Sequence, residues 1–488
     1  MKEKKKVILI SAFWMILAFI GGGKFIKNNY NIGMLNEYCQ QIEPDKQILW
    51  AIIAYICASI IIVCATSFII KAIKNNGKER RILFYSLPVF CVLLSCLFAD
   101  LAPSAIKDYY VGDEKNIWDA AVRLYPFFFV YMSELYLICF FVLPLAIAPS
   151  IIKIIFCSLV MGYTVYRVKE YYKTNLSFLI YIVCFLKPFL ELGIRVHRMQ
   201  WYGLLYLFFA IKIYFDEKNK EKKFSGLVVF GVSMVVSLLT VLRREGLYLF
   251  ILGAFLIVVT YVISSSENNK KNIIKAIIIF FFCEGILYYP AIKNGFGESS
   301  ITYRSYIVHM LGEQSLNREK IANELEIINQ YMDIDKIDKY NQDLGISAYD
   351  DAMYSWPWWK DGNYYVIKDE KKEFTGEFRN VVFKIIEKEP LTFVRSRVKS
   401  FFAAARGKEG YNLFLPLLLL LMLAIYTAYK KNKVLFFLCL GILAHIGITT
   451  LTMPASYFKY FYEMYLFSYV FFIIMVIEER LKIVRDIK

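Results

Sequence analysis

A chain of 488 residues that is 58% hydrophobic and 17% aromatic, with a mean hydropathy of +0.46, carries too much apolar surface for a soluble globular protein. Many windows are long enough to cross a hydrocarbon layer of about 30 Å as helices, and no alternating pattern of the kind a membrane β-barrel needs recurs. The net charge of +16 would suit nucleic acid, but the bases gather in short loops between apolar runs, as in "MKEKKK", "KAIKNNGKERR", "EKNKEKK" and "KKNK". That distribution orients a membrane protein and speaks against a nucleic-acid partner.

With the basic N-terminus inside, the expected helices run in chain order from about 7–22, a retained first helix because no cleavage signal follows it, through about 49–70 to about 82–101. An outer loop, 101–126, then contains "GDEKNIWDAAVRLYP" (Gly112 to Pro126). Four apolar runs follow, at about 127–148, 150–166, 175–192 and 201–214. The flanking charges allow only an odd number of crossings there, so one run is interfacial, re-entrant or a half-helix, and the sequence does not say which. Helices at about 225–241, 247–264 and 276–290 lead into a polar segment, 292–411, and three more at about 413–429, 434–452 and 463–477 end in a basic tail.

The expectation is an all-α polytopic membrane protein with about twelve transmembrane helices, one helical extracytoplasmic module and both termini cytoplasmic. It divides into two N-terminal helices (1–81), a transmembrane core (82–291), the module (292–411) and C-terminal helices with a tail (412–488). In the module, Pro390 separates two amphipathic stretches, and Tyr354, Trp356, Trp358 and Trp359 form an aromatic patch suited to sugar faces or equally to a membrane interface. Of ten cysteines only Cys39 lies in a polar loop, and no CxxC occurs, so neither a disulfide framework nor a zinc site is indicated. Abundant Lys, Ile, Asn and Tyr fit an AT-rich genome and point to the cell membrane of a low-GC Gram-positive bacterium.

Charged groups at the edge of membrane segments are costly and carry a functional hypothesis by default. Four clusters qualify: Asp113 with Glu114; "RVHRMQ" (Arg195, His197, Arg198, Gln200); "RREG" (Arg243, Arg244, Glu245); and "YFKYFYE", with Lys459 and Tyr460. The charge pattern puts all four on the outer face, as one site would require. Arginines and lysines also snorkel at helix ends without further purpose, and Asp113 also fits an ordinary solvated loop acid.

"DEKNIWDAAVRLYP" resembles the first outer loop of the GT-C superfamily of membrane glycosyltransferases, in which an acidic residue or pair precedes a short helix, here with Asp113, Glu114, Ala120 and Leu124. "TVLRREGLYLF" and "ASYFKYFYEMYLF" are similar to its helix-start Arg–x–Glu–Gly and its late Arg/Lys–Tyr. The likeness spans most of 82–480 loosely, and the Pro-Pro element of the protein mannosyltransferase branch is absent after Tyr125–Pro126, so the acceptor class does not carry over. The resemblance implies an inverting transferase that takes a sugar from a polyprenyl-phosphate donor to a glycan, polymer or lipid acceptor among membrane lipids. Asp113, or Glu114 second, would take the acceptor's proton. Arg195, Arg198, Arg243, Arg244 and Lys459 would face the phosphate, with His197, Gln200, Glu245 and Tyr460 supporting. No cofactor or metal ligand set is implied, though a divalent cation has room. A polysaccharide polymerase or ligase of the O-antigen type, or a lipid or glycolipid transporter, are the competing readings.

Overall fold

The computed structural model describes residues 2–30, 44–101, 113–125, 131–195, 198–219, 223–266, 269–295, 300–349, 366–368, 374, 376–407, 411–453 and 456–486. Among them the fold is helical, and the β pairing is one isolated bridge between Met332 and Ile367. The chain separates into two compact units. The first gathers Met1–Phe296, Met422–Cys439 and Leu466–Lys488; the second gathers Gly297–Leu421 and Leu440–Tyr465.

The first unit opens with α1 (Lys2–Asn29), α2 (Pro44–Lys74) and α3 (Lys78–Leu101), then the short α4 (Asp113–Val122) and α5 (Met132–Val142). Next come α6 (Ala148–Tyr172), a 3-10 segment (Asn175–Phe185) bent by 72° against α7 (Lys187–Ile194), and α8 (Arg198–Glu217). After α9 (Gly226–Leu242), a 3-10 turn (Arg244–Tyr248) leads into α10 (Leu249–Val258), which closes in a π-helical turn (Val259–Ile263), and α11 (Lys270–Gly295) follows. Close helix contacts need missing side chains. A Cβ on Gly162 of α6 would lie 2.7 Å from the Ser86 backbone nitrogen of α3, so only glycine lets these helices pack at that point.

Eight helices among the described residues are long and apolar enough to cross a membrane, or nine if the bent pair counts as one span. The expected count of about twelve is not reached by that measure, for physical reasons. Met132–Val142, Gly226–Leu242 and Phe414–Tyr429 are apolar but short. Arg198–Glu217 is long enough, but its end charges and aromatic residues dilute its hydropathy. With 11 residues, α5 reaches only about 16 Å at 1.5 Å per residue, roughly half the hydrocarbon thickness.

The second unit holds α12 (Ser300–Leu311), α13 (Ala322–Ile328), α14 (Ile334–Leu344), α15 (Glu377–Lys388) and α16 (Pro390–Arg406). Pro390 occupies the first turn of α16, where its missing N–H costs nothing, and it ends α15 just before it. Its core packs Ile307, Met332, Tyr340, Phe378 and Val382, all within 1% of full burial. The chain continues as α17 (Phe414–Tyr429), α18 (Lys433–Thr452), a 3-10 turn (Phe458–Phe461) and α19 (Tyr462–Asp486), helices that pass from one unit's residues to the other's. All nine described cysteines are free.

Candidate functional site

The acid-bearing helix α4 buries one face, Ile117, Ala120 and Ala121, at the i, i+3, i+4 spacing of a helical stripe. Trp118 ties its other side down: its indole N–H donates to the Ala146 carbonyl at 3.2 Å, and its ring meets Phe25 of α1 edge-on at 6.4 Å. The helix stops where Leu124 takes φ 57°, which lets the Tyr125 amide reach the Ala120 carbonyl at 2.8 Å. A leucine in the left-handed region is strained, a feature that concentrates at functional sites. The side chain of Asp113 lies outside the described residues; Glu114 is half-buried.

A residue that the sequence reading passed over sits at the centre of this region. Lys153, six positions into α6, is fully buried. Its ammonium donates to the carbonyls of Leu192 and Arg195 and to the Gln200 side-chain oxygen at 3.2 Å. It thereby caps the C-terminus of α7 and holds the turn into α8. Glu114 and Arg195 both lie within electrostatic reach of its charge. Two of the expected residues, Arg195 through its carbonyl and Gln200 through its side chain, therefore bond one buried lysine, with Glu114 within reach of its charge; Arg195 is exposed and Gln200 buried.

Two residues beyond Gln200, Tyr202 extends the cluster. The Arg243 guanidinium stacks over its ring at 5.5 Å, and the Tyr202 hydroxyl meets that of Tyr248 at 3.3 Å. Arg243 is 2% exposed, and its Nε donates to Glu245 at 3.2 Å. The expected helices end at about 241 and restart at about 247; between them Arg243 has extended backbone (φ −143°, ψ 137°) and precedes the 3-10 turn. A Cβ on Gly246 would fall 2.5 Å from the Leu239 carbonyl, so this turn folds back on α9 only with glycine there. The Arg244 side chain, His197 and the aromatic patch Tyr354, Trp356, Trp358 and Trp359 lie outside the described residues. Arg198 is half-buried on the first turn of α8.

Lys459 and Tyr460 belong to the second unit. The Lys459 ammonium sits over the Tyr457 ring at 4.8 Å, and Tyr460 is buried. Near them, in the same unit, His445 and Glu463 form a fully buried pair, Nε2 to Oε1 at 2.9 Å. His445 went unremarked in the sequence because it stands alone in the apolar run of α18. Among the described residues no three His, Cys, Asp or Glu side chains converge to hold a metal ion.

The far end of the first unit is built otherwise. From Lys153 to Arg167 along α6 is about 21 Å, and there Arg167 donates to Asp216 at 2.9 Å. Lys212 and the Tyr261 hydroxyl reach the same carboxylate. Glu478 of α19 accepts from Tyr172, Tyr214 and Lys218. These pairs staple α6, α8 and α19 together beside a small cavity of about 160 Å³.

Comparison with known proteins finds no match: no family model, no curated protein and no solved structure matches the chain.

Proposed function

We propose that the Lys153 end of the first unit is the active site of a membrane glycosyltransferase that uses a polyprenyl-phosphate sugar. The gathering of Glu114, Arg195, Gln200 and Lys153, with Arg243 stacked two residues further on, carries this reading. In the reaction an acceptor hydroxyl attacks the anomeric carbon from the face opposite the phosphate. A bond forms from acceptor oxygen to carbon, and the carbon–oxygen bond to phosphate breaks. The proton passes to Asp113, at the N-terminus of α4, while the bonding electrons leave on the phosphate. Arg243 and Arg195 meet that growing negative charge, and Lys153 sets the turn that presents Arg195.

The same geometry supports a topology. Glu114, Lys153, Arg195, Gln200 and Arg243 share one end, and Arg167, Asp216, Tyr261 and Glu478 share the other. If the short α5 stays on the Lys153 side without crossing, then α6, the bent pair, α8, α9, α10 with its flanking turns, and α11 cross in alternation. Adding α1, α2, α3, α17, α18 and α19 gives twelve crossings and puts both termini on one side. That side carries Arg81, Arg167, Lys169, Lys218 and Lys482, so by the positive-inside pattern it is the cytoplasmic one.

The test is turnover of a purified, reconstituted chain supplied with polyprenyl-phosphate sugar. Asp113→Asn is expected to lower turnover by about 10²- to 10⁴-fold, the range of general-base catalysis, with donor binding and thermal stability unchanged. Turnover near wild type would remove Asp113 from the mechanism.

A further inference from the structure

The second unit contains a groove of about 1200 Å³ that no step above uses. Sites for drug-sized ligands span about 300–1,000 Å³, so an extended ligand fits. Its walls differ in chemistry. One is planar and polar: Arg318 forks onto Asp338, one arm at 2.7 Å, beside Asn341 and Gln342. The Asn341 amide is oriented, because its N–H donates to the Val308 carbonyl at 2.8 Å; its oxygen has no hydrogen-bond partner among the described residues.

Between the walls, Glu313 is held rigid. It accepts from the Tyr349 hydroxyl at 2.7 Å and from Lys399 at 2.8 Å, with its own side chain 4% exposed.

The opposite wall is the exposed face of α16. Val394, Val398 and Phe402 recur every four residues, so they form one row along the helix, each between 43% and 50% exposed. Arg395 and Lys399 follow that row one position on. The helix leads on to α17, which is apolar throughout. Across the groove the order is therefore apolar, cationic, then planar polar groups that both donate and accept. A bilayer surface would explain the apolar row and the bases. It would leave the polar wall without purpose, whereas a saccharide presents the hydroxyls such groups bind.

We propose that this groove binds a lipid-linked saccharide phosphate, with the chain along Val394, Val398 and Phe402. The phosphate lies against Arg395, with Lys399 screening it from the Glu313 carboxylate, and the sugar lies against Asp338, Asn341 and Gln342. That this molecule is the transferase's acceptor rests on the function proposed above; the binding site does not.

The experiment is calorimetric titration of the full chain in nanodiscs with three probes: farnesyl-diphosphoryl-N-acetylglucosamine, farnesyl diphosphate and N-acetylglucosamine 1-phosphate. The complete probe is expected to bind twice per chain, once at each site. Arg243→Gln should remove one binding event. The double variant Arg395→Ala, Gln342→Ala, at two exposed positions that support no packing, should remove the other. At the groove each fragment should bind at least about tenfold more weakly than the whole probe, a difference of about 1.4 kcal/mol. Farnesyl diphosphate binding there as tightly as the whole probe would reduce the groove to an anionic-lipid contact and overturn the proposal, as would a double variant that keeps both events. If Arg243→Gln loses nothing while the double variant loses one event, the donor site falls and the groove stands.

Discussion

The two ends of the first unit differ in what their central buried charges bond to. At the Glu478 end, acids are surrounded by cations and hydroxyls: Asp216 by Arg167 and Tyr261 from other helices and Lys212 from its own, and Glu478 by Tyr172, Tyr214 and Lys218 from elsewhere in the fold and Lys482 from its own helix. Apart from the two pairs within one helix, those bonds join helix to helix. At the Lys153 end Arg243 is paired with Glu245, but the central cation, Lys153, bonds two backbone carbonyls and an amide and so shapes a turn. Mutual neutralisation fixes a scaffold. A cation spent on backbone leaves its field to act on whatever enters, and the donor phosphate proposed above would meet that field.

The difference is broken most directly by Lys153→Met. Each acceptor that loses a donor in a buried site costs about 1–3 kcal/mol, so the turn from Leu192 to Gln200 should loosen and transfer should fall on the order of 100-fold or more. Glu478→Gln, at the other end, should lower thermal stability while the folded fraction keeps its turnover. Turnover per folded molecule, measured for both variants, separates the two. Equal losses would mean that the ends are alike.

A second, smaller effect is expected from Arg243→Gln. Loss of a charge-assisted contact to phosphate costs about 1.5–3 kcal/mol, or roughly ten- to a hundredfold in donor affinity. Arg167→Gln removes an equally placed cation at the other end and should leave donor binding as it was. Binding of a short polyprenyl-phosphate sugar to the two variants sharpens the comparison, and a loss in Arg167→Gln would contradict it.

The second unit offers a control, because it too has a buried cation on neutral partners. Arg397 donates to the Met453 carbonyl at 3.1 Å and to His309 Nδ1, and lies over the Tyr306 ring at 5.0 Å. Burial pulls the Arg397 guanidinium down to about 10. Burial first, then the charge of Arg397, holds His309 well below the usual histidine range, so the folded imidazole is neutral. The unfolded chain takes up that proton more readily. Stability from neutral His309 is complete above about pH 6.5 and is lost as pH falls below it, at up to about 1.4 kcal/mol per pH unit. Thermal unfolding of the second unit followed from pH 7.5 downward should show this slope, and His309→Asn should flatten it.

Class and helical character were legible because apolar windows and basic loops act locally. So was the break at Pro390, where the proline itself ends one helix and starts the next. Lys153 was not. In "SIIKIIF" it reads as a stray charge in a span, and its meaning depends on carbonyls 39 and 42 residues away. The pairs at the other end are as remote, Tyr172 and Glu478 being 306 residues apart. Nor could composition set α5 apart, since it is as apolar as its neighbours and differs from them by its length of 11 residues.

The smallest effect belongs to Lys482. It pairs with Glu478 at 3.2 Å and with Glu479 at 2.8 Å, but its side chain is 44% exposed. Ion pairs of that exposure contribute about 0–1 kcal/mol, because solvent screens them and a long side chain must be ordered to make them. Glu478 keeps Lys218, Tyr172 and Tyr214 when Lys482 is lost. Lys482→Ala should therefore lower the melting temperature slightly, lose even that difference in high salt, and leave donor binding and turnover untouched. A drop in turnover would show that the Glu478 end does more than hold helices together, and the contrast between the two ends would have to be redrawn around it.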